Sequence, residues 1–277
     1  MPIQLRAFSV VVALLFCACG GGIPLDEDAV FQPRESLTPA TFAYENATLE
    51  EVFFEADDGT RLSAWHIDRD ESVATVLYFG GQGFNLVLSR AFVFEMLADV
   101  PVDLFMVDYR GYGRSGGEPS VEKLKSDAVR AHEFLTERRG VDPATIVVHG
   151  HSMGTFVASY VATRKTVAAL VMESGVTDVD GWTRALVPWY LRLFLKFDVS
   201  EALAEESNLE RIRQIEVPTL FLVGSKDPIT PPELSEKLHR ESAADEKQLV
   251  EVEGGDHNGL YEYEAYRDAY EGFVRGL

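Results

Sequence analysis

Six continuous apolar runs, spaced widely enough for helices to lie between them, constrain the fold of this 277-residue chain more than any other feature. They are Val76-Leu77-Tyr78-Phe79, Leu104-Phe105-Met106-Val107, Ile146-Val147-Val148, Leu170-Val171-Met172, Leu220-Phe221-Leu222-Val223 and the weaker Leu249-Val250-Glu251-Val252. Strands read this way when both faces are buried, and such strands belong to parallel sheets connected by helices. Segments of helical length and period occupy 86–97, 120–138, 153–163, 231–239 and 261–273. Two earlier runs, 51–55 and 61–67, flank Asp57-Asp58-Gly59-Thr60, a hairpin turn signal, and should pair antiparallel. The expectation is an α/β fold with a mostly parallel eight-stranded sheet, helices on both faces and a ligand site beyond the carboxyl ends of the strands.

The residues just after each run are therefore the informative ones. After Ile146-Val147-Val148 comes His149-Gly150-His151-Ser152-Met153-Gly154 and then a helical stretch. This is Gly-x-Ser-x-Gly between a strand and a helix, where a serine sits on a sharp turn that tolerates no side chain two residues to either side. A serine hydroxyl is a weak nucleophile and needs a base, itself oriented by a carboxylate. Of six histidines only His257 follows the last strand, within Gly254-Gly255-Asp256-His257-Asn258-Gly259. His149 and His151 precede the serine, and His66, His132 and His239 fall inside a strand or helices. Asp227, in the loop after Leu220-Phe221-Leu222-Val223, has the right position for the acid; Asp256 is the rival, although immediate neighbours in an extended loop point apart. The oxyanion donors should be the backbone N–H of Met153 and, from Gly80-Gly81-Gln82-Gly83, that of Gln82, with Gly81 as the alternative.

Composition closes off other chemistries. With 46% hydrophobic residues the chain can bury a substantial core. Its 45 Asp+Glu against 25 Lys+Arg give a formal net charge of -20, which repels phosphate backbones, so no nucleic-acid partner is expected. The only cysteines are Cys17 and Cys19, which leaves the rest of the chain without a disulfide or a thiolate zinc site.

Together these residues resemble the α/β-hydrolase superfamily over nearly all of 50–277. Asp108-Tyr109-Arg110-Gly111-Tyr112-Gly113-Arg114-Ser115-Gly116-Gly117-Glu118-Pro119-Ser120 is similar to the BEM46 and ABHD13-type subgroup, often labelled serine aminopeptidase-like. The resemblance implies a triad of Ser152, His257 and Asp227, no metal and no organic cofactor. It also implies that Asp108 and Arg110 hold a strand-to-helix loop rather than react. Those relatives usually read His-Gly-Asn where this chain has Gly80-Gly81-Gln82, so the side-chain hydrogen bonds of that loop should differ. Between Glu173 and Val217, at about 176–212, an insertion forms a small helical cap whose aromatic stripe, including Trp182, Trp189, Tyr190 and Phe194, either lines an acyl pocket above Ser152 or packs against the sheet.

The N-terminus reads separately. Arg6 and the apolar run 7–16 resemble a signal peptide, and Phe16-Cys17-Ala18-Cys19 resembles a bacterial lipobox with Cys19 as the lipidated residue. The small Ala18 before Cys19 favours it over Cys17, which follows Phe16. An ordinary signal peptide or an uncleaved start are the alternatives. The expectation is a signal peptide at 1–18, a lipidated tether at 19–44 without apolar period and a hydrolase domain at 45–277, held at the cell envelope through the lipid alone or, alternatively, secreted. The expected activity is serine hydrolysis of a small-molecule ester or thioester. An amidase or aminopeptidase would use the same residues, and a catalytically silent binding lipoprotein is the rival from another class.

Overall fold

The computed structural model describes residues 22–33, 46–188, 190–192 and 194–277. Eight strands form one sheet: β1 (Ala47–Glu55), β2 (Arg61–Arg69), β3 (Ala74–Phe79), β4 (Val102–Val107), β5 (Ile146–His151), β6 (Ala169–Glu173), β7 (Thr219–Gly224) and β8 (Lys247–Val252). Their spatial order is β8-β7-β6-β5-β3-β4-β2-β1. β3 to β8 run parallel, whereas β2 is antiparallel to both β1 and β4. The β1–β2 hairpin turns through Gly59 at φ +80°, and its register runs from Ala47 opposite Arg69 to Glu55 opposite Arg61.

Every residue of β3, β6 and β7 is buried, because alternate side chains enter opposite cores. Leu77, Phe79, Leu170, Met172 and Phe221 meet α2 (Val121–Glu133), α3 (Gly154–Ala162) and α5 (Pro232–Glu241) on one side. Val76, Tyr78, Val171, Leu220 and Leu222 meet α1 (Arg90–Asp99) and α6 (Glu264–Gly276) on the other. Edge strand β8 and outer strand β1 are only partly covered, which is why their sequence runs are weaker. The helical stretch expected at 120–138 is capped by Ser120, whose Oγ accepts the Lys123 N–H, and changes to a wider π-turn over Phe134–Arg138.

The cap at 176–212 contains α4 (Val179–Leu186), a strand Phe197–Val199 and short helical turns Glu201–Ala204 and Asn208–Ile212. Pro188 starts a fresh turn, accepting the N–H groups of Leu191 and Arg192. The aromatic stripe does not act as a unit. Trp182 reaches the pocket and donates its indole N–H to the Ile229 carbonyl, while Tyr190 and Phe194 are exposed; Trp189 and Leu193 lie outside the described residues.

The expected tether requires correction. Of its residues 19–44, 22–33 are folded against the domain as a strap: Ile23–Leu25 pairs in parallel with Phe197–Val199, Glu27–Val30 forms a helical turn capped by Asp26, and Phe31 is buried. The apolar side chains Ile23, Leu25, Val30 and Phe31 are too few and too irregularly spaced to show a period, yet Phe31 enters the core and Val30 packs against it. The signal-peptide residues 1–18 and Cys19 lie outside the described residues. Among the described residues no helix is long and apolar enough to cross a membrane.

Candidate active site

The turn from β5 to α3 is set by two glycines. A Cβ on Gly150 would lie 2.4 Å from the Gly154 carbonyl oxygen, and one on Gly154 would lie 2.0 Å from that of Phe79. Between them Ser152 is held at φ +53°, a left-handed conformation that a serine adopts only under constraint. The constraint is visible: the Ser152 N–H donates to the Glu173 carbonyl at 2.8 Å, and its carbonyl accepts from both the N–H and the hydroxyl of Thr155. This projects Oγ above the carboxyl ends of the strands.

There it meets the loops after β7 and β8. The His257 Nε2 lies 3.0 Å from Ser152 Oγ, and its Nδ1 donates to Asp227 Oδ2 at 2.8 Å. His257 and Asp227 are both buried. Burial pushes the Asp227 carboxyl up, but the hydrogen bonds from His257 and Thr230 outweigh it and hold the group below its ordinary value. Oδ1 accepts the N–H groups of Ile229 and Thr230, and Oδ2 accepts the Thr230 hydroxyl at 2.7 Å. The rival Asp256 is exposed and accepts the backbone N–H of His257.

The Gly80–Gln82 loop passes directly over the serine: a Cβ on Gly81 would stand 3.4 Å from Ser152 Cβ and 3.2 Å from His151 Nδ1. Its carbonyls are tied back, that of Gly80 by the Tyr109 hydroxyl at 2.8 Å and that of Gln82 by the Tyr112 hydroxyl at 3.0 Å. Both tyrosines belong to the Asp108–Ser120 loop, so the backbone over the serine is held by side-chain hydroxyls from that loop. Met153, the other expected donor, opens α3 immediately after the serine. Asp108 accepts the N–H groups of Leu86 and Arg114, and Arg110 is bound by Asp127 and Asp58, so both hold the loop.

Sequence reading missed two groups. Glu173, the last residue of β6, is buried and accepts the His149 Nε2–H at 3.0 Å and the Tyr266 hydroxyl at 2.9 Å. Burial pushes its carboxyl up, yet these bonds leave it below its ordinary value. A carboxylate ending an otherwise apolar strand was the available signal. His151 is the second: its Nε2–H donates to the His257 carbonyl at 3.0 Å and so fixes that loop to the serine turn. Burial lowers its pKa, so the ring is neutral near pH 7.

A cavity of about 540 Å³ opens over Ser152. One side is aromatic, with Tyr78, Phe84, Phe92 and Tyr261; the other is lined by the strap, by Leu124, Phe156 and Val157, and by the cap residues Val176, Val179 and Leu203. Its carboxylates among the described residues, Glu173 and Glu206, are both engaged, the latter with Lys125 at 2.7 Å and with Arg211 at 2.5 Å. Among the described residues no cluster of three or more His, Cys, Asp or Glu is placed to hold a metal ion.

The strand order, the strained serine turn and the position of the cavity define an α/β hydrolase. Residues 104–271 match the prolyl oligopeptidase family, and the chain belongs to it. It is 34% identical over 212 residues to an uncharacterized protein of Mycobacterium tuberculosis, covering 75% of this chain and 72% of that one. It is 30% identical to protein bem46 of Schizosaccharomyces pombe, covering 72% and 67%. In fold it is similar to an esterase of Pyrococcus furiosus, with a TM-score of 0.69, 18% identity and coverage of 89% and 97%.

Proposed function

We propose that the protein is a serine hydrolase that cleaves an ester or thioester through an acyl-enzyme. The observation that carries this reading is the unbroken chain Ser152 Oγ–His257 Nε2, 3.0 Å, and His257 Nδ1–Asp227 Oδ2, 2.8 Å, at the mouth of an apolar cavity. Oγ attacks the substrate carbonyl carbon as Nε2 takes its proton. Asp227 fixes the tautomer and stabilises the imidazolium. The tetrahedral oxyanion is met by the N–H groups of Met153 and Gln82, each worth about 10²–10³ in rate at such sites. Nε2 then protonates the departing alcohol or thiol, leaving acyl-Ser152; water, deprotonated by the same nitrogen, attacks that ester and releases the acid and the free serine.

The apolar lining of the cavity and the commitment of Glu206 to Lys125 and Arg211 favour this over an aminopeptidase, whose substrate ammonium needs a carboxylate of its own. A silent binding protein has no use for a serine held in a strained conformation against a carboxylate-oriented histidine. We further propose that Cys19 carries a lipid and tethers the protein to the cell envelope; Cys19→Ser should then move the protein from the membrane fraction to the soluble one.

The test of the hydrolase reading is a fluorophosphonate. Mass spectrometry should place one adduct on Ser152, absent from a folded Ser152→Ala variant, and Asp227→Asn should lower turnover by about 10⁴. Labelling elsewhere, or none, refutes the reading.

A further inference from the structure

We infer that the N-terminal strap, residues 22–33, is a wall of the acyl site and that the substrate carries a medium-length apolar acyl chain lying beneath it. The inference rests on the serine-hydrolase reading and deepens it. Leu25, Val30 and Phe31 of the strap line the cavity together with Leu124, Val157 and Leu203, so this lobe is largely apolar. Its ions, Lys125 and Glu206, are bound to each other at 2.7 Å, and Glu206 also holds Arg211, so both are committed within one ion cluster and a strongly hydrated acyl group loses water there without a free partner. A hydrocarbon chain does, at about fourfold in affinity per buried methylene.

The strap is held as part of a site and not as a loose tail. The Glu27 carboxylate accepts the Val121 N–H at 2.6 Å, at the start of α2. The Ser200 N–H donates to the Leu25 carbonyl at 3.0 Å, joining the strap to the cap. The Gln32 N–H donates to the Tyr112 hydroxyl at 2.7 Å, the same hydroxyl that holds the Gln82 carbonyl, and the Gln82 side-chain amide donates to the Ala29 carbonyl at 3.2 Å. Strap, cap and the loop over Ser152 thus share one set of contacts, and what the strap encloses is continuous with the reacting centre.

The experiment compares kcat/KM for p-nitrophenyl acetate, butyrate, octanoate and laurate with the full chain and with Leu25→Ala, Phe31→Ala and Leu203→Trp, each checked for folding by its urea midpoint. In the wild type, octanoate should exceed butyrate by on the order of 10²-fold. Leu25→Ala, on a half-buried edge strand where the fold tolerates truncation, and Phe31→Ala should each reduce that ratio by roughly tenfold. Leu203→Trp, which fills the lobe from the cap, should move the optimum toward butyrate. A wild-type preference for acetate, or an octanoate-to-butyrate ratio unchanged in both strap variants, overturns the inference while leaving the hydrolase standing. If no ester of any length is cleaved, the hydrolase reading fails and the inference fails with it.

Discussion

The two glycines of the serine turn would each set an added methyl group against backbone atoms. At Gly154 the added carbon would stand 2.0 Å from the backbone oxygen of Phe79, an atom of the central sheet that has nowhere to go. Gly154→Ala should therefore lower stability by about 3 kcal/mol or more, with the serine displaced. Gly272, in α6 with nothing within 4 Å, is the control: alanine there should be neutral or stabilise by about 0.5–1 kcal/mol. Equal urea midpoints for the two variants would refute the steric argument. Glu173 makes the same point for charge. It is buried, ionised and bound on one oxygen by both His149 and Tyr266. Glu173→Gln can keep an oxygen acceptor for both donors but removes the charge that strengthens the two bonds, and should destabilise by about 1 kcal/mol, read from thermal unfolding.

At the scale of elements, Arg110 joins three parts of the fold. Its guanidinium donates twice to Asp127 of α2, at 2.6 Å each, and at 2.7 Å to Asp58 of the β1–β2 turn. Burial raises the Asp127 carboxyl despite this pairing, so the contact with Arg110 only partly offsets the loss of water. Removing the arginine leaves that loss uncompensated, and Arg110→Ala should cost about 3–5 kcal/mol, measured by denaturant titration; an unchanged midpoint would show the pair to be dispensable.

The elements themselves were legible wherever burial on both faces wrote a continuous apolar run, as in β3, β6 and β7, and wherever a helix showed one apolar stripe. The candidate nucleophile, base and acid could be read from their order along the chain because each follows a strand whose position was clear. The strap could not be read: three residues of strand and four of helical turn carry no period, and its partners Phe197–Val199 lie most of the chain away. The links from His149 to Glu173 and from Tyr112 to Gln32 were hidden for the same reason, since they cross between strands and loops whose relative heights only packing decides.

At the scale of the whole molecule, buried imidazoles set a pH dependence. Burial lowers the pKa values of His66, His132 and His151 below the ordinary 6.5. The unfolded chain takes up protons on them at 6.5, before the folded protein does, so their contribution is full above that value and is lost as pH falls from there through their lower folded-state values. Asp108 acts in the opposite sense. Burial raises it to about 6 from 3.8, so its contribution is full below 3.8 and is lost as pH rises through about 6. As pH falls from about 8 to about 6 the urea midpoint should thus fall, with a shallower fall in His132→Gln. A midpoint that rises over that interval would contradict this balance.

The pairing of Ile23–Leu25 with Phe197–Val199 also orders events in time. The strap is the first of the described segments to be synthesised, yet it has no surface to settle on until α2, the loop carrying Tyr112 and finally the cap exist. Contacts so distant along the chain close late. Even so, in a newly made molecule every partner of the strap exists once Ser200 has been added, before Asp227 and His257, so one side of the cavity can close before the hydrogen-bonded chain from Ser152 through His257 to Asp227 is complete.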